Sequence, residues 1–73
     1  MTRRTNITER FGRRVRDLRQ RAKLSQEEFA ARCDLDRTYI SGIERGKRNV
    51  ALRNIEANAQ ALQVTMSDLL KGI

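Results

Sequence analysis

The sequence predicts an all-α fold, a compact five-helix bundle, and three observations carry that prediction. Its 73 residues include no proline and only three aromatics, two phenylalanines and one tyrosine. Apolar residues recur at intervals of three and four, the spacing of one helix face. Cap-forming residues stand just ahead of the apolar runs. A chain this short is one domain, 1–73, and buries roughly 60–65% of the surface its unfolded form exposes. One cysteine excludes an internal disulfide, and the absence of histidine argues against a metal site. The core is therefore marginal, and self-association would strengthen it.

The elements follow in order. Residues 1–6 form a basic arm. The first helix runs from about Thr8 to Lys23, with Phe11, Val15, Leu18 and Ala22 along one face and arginines on the others. Ser25-Gln26-Glu27-Glu28 reads as a capping box opening a second helix that buries Phe29, Ala30 and Cys33. Asp34-Leu35-Asp36 makes a tight turn, and Asp36 is placed to cap a third helix over 37–45, which Gly46 ends. After the loop Lys47–Val50, a fourth helix carries Leu52, Ile55, Ala59 and Leu62. Thr65 caps a short fifth helix with Met66, Leu69 and Leu70. Residues 26–45 thus outline two short helices joined by a turn, and 52–73 a C-terminal helical unit.

Composition narrows the chemistry. Without histidine there is no conventional general base near neutral pH, and the four glycines are too scattered to cradle a phosphate. An enzyme is not expected, no cofactor is implied, and Cys33 reads as a small core residue. The net charge is +7, and thirteen of the sixteen cations are arginine. Residues 1–53 carry +8 and residues 54–73 carry −1. A basic front and a neutral, apolar back assign one surface to a polyanion and another to a different partner. Arginine in such excess favours phosphate recognition over a merely solvated face. No stretch reaches the ~18 apolar residues of a membrane span, and no secretory core is visible.

On a wheel of 100° per residue, Ile40 and Ile43 lie about 60° apart and define the buried side of the third helix. Thr38, Arg45, Ser41 and Gly42 face outward, with Arg37 and Tyr39 at the edges. Short polar groups with cations at both ends pack poorly but fit a groove ~12 Å wide. Arg37 can donate two hydrogen bonds to a guanine edge; as a solvated helix-start residue it would do nothing. Thr38 and Ser41 can bond base edges or phosphates, and Tyr39 either contacts the groove or packs on the preceding helix.

The runs Ser-Gln-Glu-Glu-Phe-Ala at 25–30 and Asp-Arg-Thr-Tyr-Ile-Ser-Gly-Ile-Glu-Arg-Gly-Lys-Arg-Asn at 36–49 resemble the helix-turn-helix of the phage-repressor-like (XRE-type) family, with its lambda-repressor-like DNA-binding domain. Ile-Glu-Arg-Gly-Lys is the most characteristic segment, and the resemblance extends from about residue 10 to 70. More narrowly, residues 35–45 with Arg48-Asn49 are similar to controller proteins of restriction–modification systems, small dimers that regulate their own gene and the endonuclease gene. The resemblance implies that Arg37, Thr38, Tyr39 and Ser41 read bases in double-stranded DNA. It implies phosphate contacts at Ser25, Gln26, Arg45, Lys47, Arg48 and Asn49, and an internal ion pair between Arg19 and Glu44. Ala51 stands where the family has a serine or threonine cap, so the fourth helix begins uncapped or takes its cap from Asn49.

One such domain reads too few base pairs to stand out in a genome, so a homodimer on a palindromic operator is expected. Met66, Leu69, Leu70 and Ile73, with part of the fourth helix, are its candidate interface; the other reading is that Leu69 and Leu70 close the core. RNA polymerase is a further candidate partner. The expected location is the cytoplasm of a bacterium, at the nucleoid, with a bacterial or phage gene as source. The alternatives are a general XRE-type repressor or an antitoxin-like protein whose main partner is another protein. Membrane attachment conflicts with the core's need for the first helix's apolar stripe, and RNA binding with the scarcity of stacking aromatics.

Overall fold

The computed structural model describes residues 5–73. The fold is all-helical: α1 (Ile7–Arg21), α2 (Gln26–Cys33), α3 (Arg37–Glu44), α4 (Leu52–Leu62) and α5 (Met66–Leu69). Most of the expected basic arm, residues 1–4, lies outside the described residues. Its last two residues, Thr5 and Asn6, are tied down. Asn6 caps α1, its Oδ1 accepting from the Thr8 amide at 3.0 Å, and Arg10 donates to the Thr5 carbonyl.

α1 ends at Arg21 rather than Lys23 because Lys23 takes a left-handed φ of 60°. The Lys23 amide then bonds Gln20 O and the Leu24 amide bonds Arg19 O, a Schellman closure. Ala22, expected on the buried face, is instead exposed at this terminus. The same closure ends α2 at Asp34 (φ 56°), α3 at Gly46 (φ 75°) and α4 at Gln63 (φ 58°). Only one of these four positions is glycine, and each L-residue there pays about 1 kcal/mol of backbone strain.

Helix starts vary more. Ser25 and Glu28 form a full capping box, and the Thr65 hydroxyl accepts from the Asp68 amide. Asp36 occupies the N-cap position of α3 but makes no side-chain cap bond, since its exposed carboxylate loses little by staying with solvent. α4 starts after Ala51 with no side-chain cap, so Asn49 does not serve as one.

The core joins Phe11 and Val15 of α1, Phe29, Ala30 and Cys33 of α2, Ile40 and Ile43 of α3, Ala59, Ala61 and Leu62 of α4, and Leu69 of α5. α3 packs against α1 and α2, while α4 closes on α2 and carries α5. The α1–α3 approach is close: a β-carbon at Gly12 would fall 2.2 Å from Ile43 O and 2.9 Å from Glu44 O. That contact fixes the C-terminal end of α3 against α1. Two residues further along α1, Arg14 reaches to the Asp68 and Leu69 carbonyls at 2.6 and 3.3 Å.

Two expectations about apolar residues are corrected. Leu69, expected at an intermolecular surface, is 0% exposed and belongs wholly to the chain's own core. Adjacent residues point about 100° apart on a helix, so Leu70 is 42% exposed while Leu69 is buried. Leu52, expected on the inward face of α4, is 72% exposed, because the first turn of α4 overhangs the core.

Candidate nucleic-acid interface

The geometry of α3 begins with its supports. Arg19 Nε donates to Glu44 Oε2 at 2.6 Å and Arg19 Nη2 to Glu44 Oε1 at 3.0 Å. These side chains are only 11% and 4% exposed. Arg19 Nη1 also donates to Leu24 O at 2.8 Å, and Gln26 Nε2 to Glu44 Oε1 at 3.1 Å. One buried carboxylate thus holds α1, the start of α2 and the end of α3 together. Every charge in the group is paired, which a buried ion pair requires to be tolerated.

With Ile40 and Ile43 buried beneath it, α3 turns Arg37 and Thr38 fully outward, with Arg45 exposed just past its end. Arg45 Nε lies 3.4 Å from the Ser41 carbonyl. Tyr39 and Ser41 are half-buried. Tyr39 packs against the core, and its hydroxyl accepts from Asn54 Nδ2 of α4 at 3.3 Å. Lys47, Arg48 and Asn49 are exposed on the loop beyond Gly46. Arg48 lies over the Tyr39 ring, with Cζ 5.3 Å from its centroid.

Gly42 departs from the wheel, which had it on the open face. It is buried, with the Arg48 side chain across it. Gln26, expected to contact phosphate, commits one amide hydrogen to Glu44. Ser25 is exposed, and its hydroxyl accepts from the Glu28 amide. In return the Ser25 backbone N–H, then its hydroxyl, hold the Glu28 carboxyl below the usual range.

Other features carry no sequence signal of their own. Gly12 and Asn54 matter only through contacts far along the chain. Asn58 is wholly buried on α4, its Oδ1 3.4 Å from Cys33 Sγ and its Nδ2 without a partner among the described residues. The expected self-association residues divide between two shallow recesses. Leu70 and Ile73 line one with Ile7, Phe11 and Ile55; Met66 lines the other with Leu52, Arg53 and Glu56.

A short helix-turn-helix whose second helix shows a cationic outer face defines a DNA-binding protein, and the chain belongs to the helix-turn-helix family, whose model matches residues 15–69. It is of the phage-repressor-like type. It is 51% identical over 69 residues to control protein C.MunI of a Mycoplasma species, with 93% of each chain covered. It is 54% identical over 66 residues to control protein C.BamHI of Bacillus amyloliquefaciens, covering 89% of this chain and 82% of that one. Its fold matches the crystal structure of the restriction–modification controller protein C.AhdI from Aeromonas hydrophila with a TM-score of 0.84. That match has 46% identity and covers 86% of this chain and 96% of the other.

Proposed function

We propose that this protein is a sequence-specific transcriptional regulator, a restriction–modification controller that binds palindromic operators as a homodimer upstream of its own gene and the endonuclease gene. The observation that carries this is the α3 surface: exposed Arg37 and Thr38, flanked by exposed Arg45, Lys47, Arg48 and Asn49, on a helix anchored by the Arg19–Glu44 pair. Similarity to three control or controller proteins supports the narrower role.

In this reading Arg37, Thr38, Tyr39 and Ser41 contact base edges. Ser25, Gln26, Arg45, Lys47, Arg48 and Asn49 engage phosphates and set the register. The protein does no covalent chemistry. Residues 26–45 bind DNA and residues 52–73 hold the second copy, through Leu52, Met66, Leu70 and Ile73, with Leu69 supporting them from inside. A twofold pair places two α3 helices on half-sites about one helical turn, ~34 Å, apart. Bound over a promoter, such a dimer blocks RNA polymerase; bound just upstream, it can touch it. Among the described residues no helix is long and apolar enough to cross a membrane, and the site of action is the cytoplasmic nucleoid.

Selection of random duplex DNA at about 150 mM salt tests this. An inverted repeat with fixed spacing is the expected product. Salt-sensitive binding with no enriched sequence would move the function towards a protein partner.

A further inference from the structure

We propose that Gly42 and Asn54 are positioning residues that preset Arg48 for DNA, so that α3 and α4 govern how the loop between them grips the DNA backbone. This rests on the α3 face being the DNA-binding surface. A β-carbon on Gly42 would lie 3.0 Å from Arg48 Nε, 3.1 Å from its Cγ and 3.6 Å from its Cδ. All three nearest contacts are with that one side chain. The gap left by Gly42 is therefore the seat of Arg48. Glycine inside a helix is a standing loss of stability against alanine, and here the seat is what that loss obtains.

The seat has a second wall. Tyr39 stands three residues before Gly42 on the same face of α3, and Arg48 Cζ sits 5.3 Å from its ring centroid. Asn54 reaches from α4 to the Tyr39 hydroxyl at 3.3 Å and limits how the ring can turn. Among the described residues no carboxylate pairs with Arg48, whose exposed guanidinium keeps its donors for a ligand. A free arginine loses much rotamer freedom on binding; one already laid against a ring and a glycine loses less. Arg48 is thereby held beside the α3 outer face before DNA arrives.

The test is a double-mutant cycle on the full chain, using the duplex that the wild-type protein selects, at one salt concentration. Gly42→Ala should lose about tenfold in affinity, in the range of one hydrogen bond to a charged group. Its melting temperature should be unchanged or a few degrees higher. In an Arg48→Ala background the same substitution should cost nothing further. Asn54→Ala should lose a few-fold, again only while Arg48 is present. In the DNA-free protein, the ring-current shift of the Arg48 Hδ protons should disappear in Gly42→Ala. An equal loss from Gly42→Ala with and without Arg48 would overturn the proposal, because the glycine would then make room for DNA itself. No loss at all would overturn it too. A wild-type chain that selects no duplex would sink the DNA-binding reading, while the ring-current shift would still decide whether the seat exists.

Discussion

Arg19 of α1 and Glu44 of α3 meet in a two-pronged ion pair, 2.6 and 3.0 Å across, almost closed to solvent. Glu44 is the last residue of α3, and Arg45 and the basic loop follow directly. The pair therefore sets where the proposed DNA-binding surface sits relative to the rest of the fold. Glu44→Ala should destabilise the protein by about 3–5 kcal/mol, since Arg19 is left charged and buried. That is comparable with the ~4–10 kcal/mol total stability of a domain this short. Urea denaturation measures it. DNA affinity, corrected for the folded fraction, should fall far less than the uncorrected value.

Arg37 and Lys47 should separate two kinds of contact. Arg37→Ala should cost ~1–3 kcal/mol and relax preference at one base pair. Lys47→Ala should weaken all duplexes alike and lower the slope of log K against log salt by about 0.9. Titrations against the operator and single-base variants at three salt concentrations read both. Uniform weakening by Arg37→Ala would make that residue a phosphate contact.

Leu52 and Leu69 should also part company. Leu52 is exposed, so Leu52→Asp should leave the melting curve of the isolated subunit nearly unchanged and abolish the dimer in sedimentation equilibrium. Leu69→Ala should cost about 2–5 kcal/mol through a core cavity, whatever the state of association. A Leu52→Asp variant that stays dimeric would place the interface at the recess lined by Leu70 and Ile73.

Gln63 holds a left-handed conformation that glycine adopts without strain. Gln63→Gly should raise stability by about 0.5–1 kcal/mol, despite the greater freedom of the unfolded chain. Chemical denaturation suffices to see it.

Burial pushes the Cys33 thiol up to about 11 from an ordinary 9.0. In the interval between those values the unfolded thiol has lost its proton while the folded one keeps it. The contribution of Cys33 is therefore complete below pH 9 and fades as pH rises through 11. Stability should fall less steeply over pH 9–11 in Cys33→Ala than in the wild type, even though the variant begins less stable.

Local signals made much of this fold legible. Ser25 with Glu28, and Thr65 with Asp68, announce helix starts through bonds spanning three residues, so the sequence carries the whole device. Arg19 and Glu44 came into view through family resemblance, since 25 residues separate them and no periodicity links them. The left-handed positions at Lys23 and Gln63 went unseen because neither residue type favours that conformation; tertiary packing imposes it. Gly42 is the instructive case. A wheel places it on the open side of α3, yet knows nothing of the loop arginine that folds back and buries it. Leu52 errs the other way, matching the apolar period of α4 while standing beyond the reach of the core.

The grip of Arg14 on the carbonyls of Asp68 and Leu69 makes α1 a strut. Gly12 meets the backbone of α3, and Arg14, two residues on, pins the same stretch of α1 to α5. In a symmetric pair joined through the C-terminal face, the distance between the two α3 helices would then be a machined dimension, with no hinge to absorb an error. An operator whose half-sites were one base pair too close or too far would have to bend or twist to fit, so the DNA's stiffness would act as the gauge.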